Sequence, residues 1–470
     1  MSRIYISAAH KSSGKTTLSI GLCAVFHQQD LIVQPFKKGP DYIDPLWLSK
    51  ASNRSCHNLD FNTQSHDEIL LTLHHYGQGA DINIIEGNLG LYDGMALDGS
   101  DSNAAVAKLT KSPVVLVIDT RGVTRGVAPL LLGYQQFDKG IEIAGVIYNM
   151  SNGGRHETKL RAVTEEYTDI PVLGVVKKNP LMVVDERHLG LMPSNESKVA
   201  LQKIADIANI VADSVDMTAL LAVANAVEKL ENIKPLNLNN IVTSKKLRLG
   251  ICEDSAFGFY YASDKLALEQ AGAELISFSP LDDEKLPDNL DGLFIGGGFP
   301  ETHMDQLSDN KSMRKSIYDA IEGGLPTYAE CGGLMYLSQN LYWNEQSAPM
   351  VGIIPAEAQM HDKPQGRGYV KLEETDAMLW DQDKIDTSGM IINAHEFHYS
   401  RLGNLDEVKE KGTFAYKVHR GVGITGEHDG WVYKNLLANY SHMRDTESFH
   451  WASRFMVFVN KIKESKEGKI

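Results

Sequence analysis

The segment TYAECGGLMYL, residues 327–337, carries the residue types that covalent chemistry at a thiol needs. Its pattern is typical of a strand that runs into a sharp turn carrying Cys331, followed by glycines and a helix. A thiolate on such a turn faces substrate on one side, and the positive end of the following helix stabilises its charge. Gly332 and Gly333 let the backbone turn tightly and bring N–H groups close to a developing oxyanion. The sequence therefore predicts a cysteine nucleophile at position 331.

The segment IGGGFPE, residues 295–301, supplies a candidate oxyanion hole for this cysteine. It follows a predicted strand and offers consecutive backbone N–H groups that no side chains shield. We therefore expect the oxyanion to bind near Gly297, Gly298 and Gly332.

A cysteine nucleophile also needs a base, which comes from elsewhere in the chain. The segment ANYSHMRD, residues 438–445, places His442 directly after an apolar run typical of a strand, a position that suits a base. The segment HEFHYS offers His395 and His398 as alternatives. A structural or interdomain role is the favoured interpretation of both, so His442 is the predicted base.

The N-terminal segment AHKSSGKTT, residues 9–17, follows a predicted strand and precedes a helical run, which is the context of a phosphate-binding loop. Backbone N–H groups and the helix N-terminus would hold the phosphates, with Lys15 on the terminal phosphates and Thr16 on Mg²⁺. Ala9 replaces the first glycine of the loop pattern, and Lys11 does not occupy the position of the extra lysine of partition-type ATPases. The predicted ATP-binding residues are Ser13, Gly14, Lys15, Thr16 and Thr17.

Two acidic segments accompany the loop. DINIIEGNLGLYDG ends a predicted buried strand at Glu86 and continues through a glycine-rich turn to Asp93. A carboxylate at a strand end can hold Mg²⁺ directly or through water. FKKGPDYIDP, residues 36–45, reads as a loop stiffened by prolines, in which Asp41 and Asp44 face either the metal or the substrate. The alternative for its lysines is a solvated surface turn.

The elements that must position these residues form two alternating series of strands and helices, which favours parallel sheets covered by helices. The strands predicted in the first series are 3–8, 81–86, 113–119, 143–149 and 171–176. Those of the second series are 247–254, 274–279, 291–298 and 327–331, with helices near 258–271 and 309–323. A polar, Asn-rich stretch separates the two series. The predicted domains are 1–232 and 247–462, joined by a linker at 233–246.

Composition sets limits on the function. A hydrophobic content of 43% is typical of a soluble globular protein, and a length of 470 residues predicts two or three domains. The formal charge of −15 argues against a nucleic-acid partner, so a polyanionic substrate must meet a local basic site. The four cysteines have no metal-ligand spacing, which indicates reduced thiols in a cytoplasm. We expect neither a signal peptide nor a membrane span.

Taken together, these segments resemble the cobyrinic acid a,c-diamide synthase family over nearly the whole chain. The segments that carry the resemblance, in the family's order, are GKTT, KKGPDYIDP, EGNLGLYDG, ERHLGL (186–191), DSAFGFYY (254–261), IGGGFPE, YAECGGLMYL and HEFHYS. The resemblance implies an α/β protein with an N-terminal P-loop domain similar to dethiobiotin synthetase and a C-terminal class I glutamine amidotransferase domain. It also implies ATP- and Mg²⁺-dependent amidation of the a and c acetates of a tetrapyrrole, with glutamine as nitrogen donor.

By resemblance, Cys331 is the nucleophile and His442 raises its nucleophilicity. Thr16, Glu86 and Asp44 then serve the metal. The residues placed near the substrate or the acyl phosphate are Lys37, Asp41, Asp93, Arg187 and His188. A homodimer is compatible with the family.

The chain departs from the family pattern at two places. Arg444 stands where the family has a second histidine after His442, and Arg367 replaces the leucine of a Leu-Gly-Tyr motif. Both changes leave open which tetrapyrrole is the substrate. The alternatives are the same amidation on a sirohydrochlorin or sirohaem-type ring, or an ATP-binding scaffold with a degenerate amidotransferase domain.

Overall fold

A computed structural model describes residues 1–187, 190–195, 199–230, 233, 246–380 and 389–468. The chain divides into two compact units, Met1–Asn237 and Leu238–Ile470, called here the N-terminal and C-terminal units. Most of the predicted linker at 233–246 lies outside the described residues, so the predicted domain limits stay a prediction. Within the described residues, no helix has the length and apolar character to cross a membrane.

The N-terminal unit alternates strands and helices. Its strands are β1 (Arg3–Ala8), β2 (Val33–Lys38), β3 (His57–Leu59), β4 (Ile82–Glu86), β5 (Val114–Asp119), β6 (Ile143–Ser151), β7 (Val172–Lys177), β8 (Glu186–Arg187) and β9 (Gly190–Leu191). Its helices are α1 (Lys15–Gln28), α2 (Ile43–Ser52), α3 (His66–Gly77), α4 (Asn103–Leu109), α5 (Val127–Phe137), α6 (Gly154–Tyr167), α7 (Ala200–Ser214) and α8 (Met217–Asn225), with a 3₁₀ turn at Pro180–Met182.

In the described part of this unit, the first seven strands form one parallel sheet in the order β3-β2-β4-β1-β5-β6-β7. β1 and β4 are buried along their whole length, as expected of central strands covered by helices on both faces. The register pairs Glu86 of β4 with Ile6 of β1 and with Lys37 of β2. The carboxyl ends of these three strands therefore meet at one edge of the sheet, beside the loop that follows β1.

The prediction that residues 36–45 form a loop is wrong for most of that segment. Phe36, Lys37 and Lys38 complete β2, and α2 begins at Ile43, so the connection is only residues 39–42. All six residues of β2 are buried, including both lysines. Charged residues at buried positions concealed this strand, because hydrophobic patterning cannot show lysines that are paired inside a protein.

The C-terminal unit contains more strands than its sequence indicated. Its strands are β10 (Leu247–Cys252), β11 (Phe257–Phe259), β12 (Ala273–Phe278), β13 (Gly292–Ile295), β14 (Gly297–Gly298), β15 (Thr327–Glu330), β16 (Ser338–Trp343), β17 (Gln346–Pro349), β18 (Ile354–Met360), β19 (Gly366–Glu374), β20 (Ile391–His398), β21 (Ser400–Leu402), β22 (Thr413–Arg420), β23 (His428–Tyr433) and β24 (Leu436–Asn439). Its helices are α9 (Ala262–Gln270), α10 (Met304–Asp309), α11 (Lys311–Glu322), α12 (Gly332–Leu337), α13 (Leu405–Lys411) and α14 (Trp451–Lys466), with a 3₁₀ turn at Pro300–His303.

Its large sheet has the order β12-β10-β13-β15-β24-β23-β22-β19-β20 among the described residues. The half from β12 to β24 is parallel and the half from β24 to β20 is antiparallel. The predicted alternation covers the parallel half, and sequence analysis did not identify the antiparallel half. The helix predicted near 258–271 starts later, at Ala262, because β11 first pairs with β14.

An aromatic cluster under β15 holds the centre of this sheet. The Tyr328 ring packs against Phe294, Trp380 and Trp451, with ring centroids 5.1–5.2 Å apart. Tyr328, Trp380 and Trp451 are at most 1% exposed. Large buried rings contribute much of the packing energy of a core, so the packing of Tyr328 fixes β15 two residues before the strand ends.

Helix α14 is tied to the same sheet by a buried ion pair, which gives a test of the packing. Arg454 donates to both carboxylate oxygens of Glu374, at 2.5 and 3.0 Å. We expect Arg454→Met to lower the free energy of unfolding by roughly 3–5 kcal/mol, because it removes the guanidinium that neutralises a buried carboxylate.

The measurement is urea unfolding followed by tryptophan fluorescence, since four of the five tryptophans lie in the C-terminal unit. The double variant Arg454→Met with Glu374→Leu is the control and should recover most of the loss. An unchanged unfolding midpoint in the single variant would contradict the expectation.

Candidate functional site

The predicted nucleophile lies on a strained turn between β15 and α12. Cys331 has φ 48° and ψ −101°, a conformation that non-glycine residues adopt only when their surroundings impose it. Its N–H donates to the Asn439 carbonyl at 2.8 Å, and its own carbonyl accepts from the Met335 N–H at 3.0 Å. The thiol is free and 6% exposed. These backbone contacts hold the sulfur at the carboxyl end of β15.

The predicted base lies on the connection that follows β24, the strand paired with β15. His442 follows the end of β24 and exchanges backbone hydrogen bonds with His395, at 2.7 and 3.4 Å. The buried Asp429 carboxylate accepts from the Tyr440 and Ser441 N–H groups, at 3.0 and 2.9 Å. Hydrogen bonds with His395 and with Asp429 therefore both fix the backbone around His442.

The electrostatic surroundings of His442 favour its charged form. Burial by itself would lower its pKa, but the hydrogen bond with Cys331 and the Glu330 carboxylate raise the pKa of His442 to about 10. The Nδ1 atom of His442 lies 3.2 Å from Oε2 of Glu330. A cationic imidazole beside a sulfur atom stabilises a thiolate, which is the form that attacks carbonyl carbon.

The three predicted oxyanion-hole glycines surround this pair. A methyl group built on Gly297 would lie 2.7 Å from Cε1 of His442, and one on Gly332 would lie 2.9 Å from the backbone N of Gly298. A methyl group on Gly298 would lie only 2.0 Å from the Ala256 carbonyl oxygen. Neighbouring backbone therefore leaves no room for a side chain at Gly298 and Gly332, and the His442 ring leaves little room at Gly297. The same close approach brings the backbone of β14 and α12 together.

The contacts of the alternative bases support a structural role. The His398 ring stacks on Tyr440 with a centroid distance of 3.9 Å, and its Nδ1 lies 2.8 Å from the Ser400 carbonyl oxygen. The His395 ring stacks on that of His442 at 4.9 Å. Burial and the nearby charges of His442 and Arg444 hold the pKa of His395 well below its usual value, so this ring stays neutral.

The phosphate loop lies between β1 and α1. Ser12 and Gly14 have φ of 65° and 83°, and Lys15 begins the helix. The Ser13 hydroxyl donates to the His10 carbonyl at 2.7 Å, and the Asn149 amide donates to the Ser13 carbonyl at 2.9 Å. Because Gly14 provides no side-chain cap, the first N–H groups of α1, including those of Thr16 and Thr17, could bind the oxygens of a phosphate.

The three predicted metal ligands come together next to this loop. The Thr16 hydroxyl donates to Glu86 Oε1 at 2.6 Å and to Asp44 Oδ2 at 3.1 Å. The ammonium of Lys37 contacts the same two carboxylates, at 2.9 and 2.5 Å. Burial opposes the charge of Lys37, but both carboxylates raise its pKa well above the usual value. We call Thr16, Lys37, Asp44 and Glu86 the acid cluster.

The donor set of the acid cluster fits Mg²⁺. Oε2 of Glu86 is buried and has no hydrogen-bond partner in the described structure. Buried carboxylate oxygens normally have a partner, so this oxygen has a lone pair available for a metal ion or a hydrogen-bond donor. Two carboxylates and one hydroxyl are the hard oxygen ligands that Mg²⁺ prefers.

Lys15 lies near the cluster, with its ammonium donating to the Asn88 carbonyl at 2.8 Å. Asp41 accepts from the Asp44 N–H at 3.0 Å, and burial with the Asp44 charge raises the pKa of Asp41 to about 7. Asp93 has a different surrounding, because its carboxylate accepts from the N–H of Gly90 in its own loop at 3.2 Å.

Of the two remaining candidates, Arg187 ends β8. Arg187 pairs with Gly190 across the short hairpin of β8 and β9. His188 lies outside the described residues.

Sequence analysis did not name three residues that contact the predicted ones. Glu330 contacts His442, Asn149 supports the phosphate loop, and Asn88 accepts from Lys15. A signal was available for Glu330 and Asn149, since each is a polar residue at or near the carboxyl end of a buried strand.

Both parts of the chain match known protein families. Residues 5–190 match the CobQ/CobB/MinD/ParA nucleotide binding domain, and residues 248–448 match the CobB/CobQ-like glutamine amidotransferase domain. The chain is 43% identical over 454 residues to a cobyrinate a,c-diamide synthase of Magnetococcus marinus, covering 96% of this chain and 95% of that protein.

Two further relatives carry the same name. That of Methanosarcina acetivorans is 38% identical, covering 99% of this chain and 96% of that protein. That of Listeria monocytogenes serotype 4b is 37% identical, covering 94% and 96%. The chain belongs to the cobyrinate a,c-diamide synthase family.

Proposed function

We propose that this protein amidates the a and c acetate carboxylates of cobyrinic acid, using ATP and glutamine. The observation that carries the proposal is the presence, in one chain of this family, of a Cys331–His442 pair and a phosphate loop beside paired carboxylates. The Cys331–His442 pair produces ammonia from glutamine. The phosphate loop and its carboxylates serve the activation of a substrate carboxylate by ATP, because ammonia does not attack an unactivated carboxylate.

Glutamine hydrolysis takes place at the C-terminal unit. The Cys331 thiolate attacks the side-chain amide carbon of glutamine, and the oxyanion binds N–H groups near Gly297, Gly298 and Gly332. The tetrahedral intermediate collapses as the His442 imidazolium gives its proton to the departing ammonia. Water, deprotonated by His442, then hydrolyses the glutamyl thioester and releases glutamate.

Carboxylate activation takes place at the N-terminal unit. An acetate oxygen of the substrate attacks the terminal phosphorus of ATP, which forms an acyl phosphate and releases ADP. The leaving group of a carboxylate is poor, whereas phosphate leaves readily when ammonia attacks the acyl carbon. Lys15 and the N–H groups of residues 13–17 hold the phosphates during transfer.

Thr16, Asp44 and Glu86 would hold Mg²⁺, which when bound neutralises negative charge on the phosphates. Lys37 balances the charge of the two carboxylates and keeps them in contact with the Thr16 hydroxyl. We assign Asp41, Asp93, Arg187 and His188 to the substrate side, on the resemblance to the family. The net charge of −15 means that a polycarboxylate must meet a local basic site, which Arg187 and His188 would supply among these four residues.

We also propose a cytoplasmic location, because all four cysteines are free thiols. The net negative charge supports the absence of a nucleic-acid partner. A homodimer is proposed from the family resemblance alone.

The identity of the ring is tested by mass spectrometry of products made with ATP, Mg²⁺ and glutamine labelled with ¹⁵N in its side-chain amide. Cobyrinic acid and sirohydrochlorin are offered in parallel reactions. We expect two labelled nitrogens on cobyrinic acid. Label on sirohydrochlorin alone would keep the chemistry and overturn the substrate.

Cys331→Ser should abolish glutamine-dependent amidation and keep amidation with high ammonium, because only the source of ammonia is lost. The same mass-spectrometric assay measures both. Loss of activity with ammonium as well, in a variant that unfolds at the wild-type temperature, would contradict the separation of the two reactions.

Glu86→Gln should keep glutamine hydrolysis and lower ATP-dependent amidation by more than roughly 100-fold, because it removes a charged metal ligand. ADP release and glutamate release are measured in the same sample. Glu228→Gln is the control, since that exposed carboxylate in the same unit pairs with Lys111. Unchanged ATP turnover in Glu86→Gln would show that Glu86 has no role at the metal.

A further inference from the structure

We infer that Glu330, the residue directly before the nucleophile, is a positioning residue that orients His442 and stabilises its cationic ring. The inference rests on the glutamine hydrolysis proposed above. The one acid of the base segment, Asp445, has other partners, because it accepts from the Ala452 N–H at 2.9 Å and lies 3.4 Å from Nδ1 of His450. The structure supplies an acid for His442 from the strand that carries the thiol.

The Glu330 side chain is held in one orientation by three contacts. Oε2 lies 3.2 Å from Nδ1 of His442. Oε1 accepts from the Met443 N–H at 2.9 Å and from the Tyr328 hydroxyl at 2.5 Å. The side chain is 4% exposed, so water does not screen its charge. A carboxylate fixed in this way sets which ring nitrogen carries the proton and which way the ring faces.

The fold explains how Glu330 and Cys331, which are adjacent in sequence, can both contact the imidazole of His442. Successive side chains of an extended strand point to opposite faces. The positive φ of Cys331 interrupts this alternation directly after Glu330, so the carboxylate and the sulfur both contact His442. The parallel pairing of Glu330 with Asn439 then brings the connection after β24, which carries His442, alongside both.

Other charged groups in this region have different partners. The guanidinium of Arg444 lies over the Tyr261 ring at 5.1 Å. Asp264 accepts from the Asp445 N–H and the Trp451 indole, and Asp429 accepts from the Tyr440 and Ser441 N–H groups. These two acids are therefore engaged with the backbone and an indole, whereas Glu330 contacts the imidazole itself.

The chemical role follows from the charge changes during catalysis. When Cys331 is a thiolate, His442 carries the proton that it later gives to ammonia. Glu330 stabilises this cation, and the neutral His395 ring on the other side adds no competing positive charge. Removing the charge of Glu330 should make the thiolate–imidazolium state less populated, even with every backbone contact unchanged.

The test compares Glu330→Gln with the wild type in two assays that need no tetrapyrrole. Alkylation of Cys331 by iodoacetamide at neutral pH, followed by mass spectrometry, measures the thiolate. Glutamate release from glutamine gives kcat and KM. We expect both the alkylation rate and kcat to fall roughly 10- to 100-fold with little change in KM, and Glu330→Asp to recover part of each.

Glu357→Gln is the matched control, because that carboxylate also accepts from a tyrosine hydroxyl, that of Tyr342, at 3.1 Å. It should react and hydrolyse glutamine as the wild type does. Wild-type alkylation and kcat in Glu330→Gln would overturn the inference. If that variant does not fold, wild-type alkylation in Glu330→Asp would overturn it, and a reduced rate would support it.

This outcome is separate from that of the proposed function. Failure of the wild type to amidate cobyrinic acid would remove the assigned substrate and leave the alkylation result intact. Conversely, ammonium-dependent amidation by Glu330→Gln should match the wild type, since the N-terminal unit is unchanged.

Discussion

Both proposed reactions depend on the same structural constraint, the parallel pairing of strands that end in an acid. In the N-terminal unit β4 ends at Glu86, in register with Lys37 of β2. In the C-terminal unit β15 ends at Glu330, in register with Asn439 of β24. Parallel pairing brings the carboxyl ends of neighbouring strands to one edge of a sheet, so the loops that follow them meet there.

Buried charge is the second common feature. The acid cluster combines a lysine ammonium with two carboxylates, and the thiol site combines an imidazole with a carboxylate and a sulfur. Neither group of charges is stable in a dry interior unless each member has a partner. The ion pairs that stabilise these charges in the interior therefore also hold the side chains in the positions that the proposed reactions need.

The turn at Cys331 connects packing with reactivity. Tyr328 lies in the aromatic core and also donates to Glu330, and Cys331 follows directly. Core packing thus fixes an acid and a nucleophile that are adjacent in sequence. A strained backbone at Cys331 persists because the strand before it is packed and the helix after it is buried.

The sequence by itself determined the α/β class and the family, and it predicted the nucleophile and the phosphate loop. Each of these depends on short contiguous motifs with a strand before them and a helix after them. It did not reveal β2, whose buried lysines look polar, or the antiparallel half of the large sheet. Nor did it pair Glu330 with His442 across 112 positions. Those relations depend on strand order and register, which many distant contacts set together, so only the tertiary structure decided them.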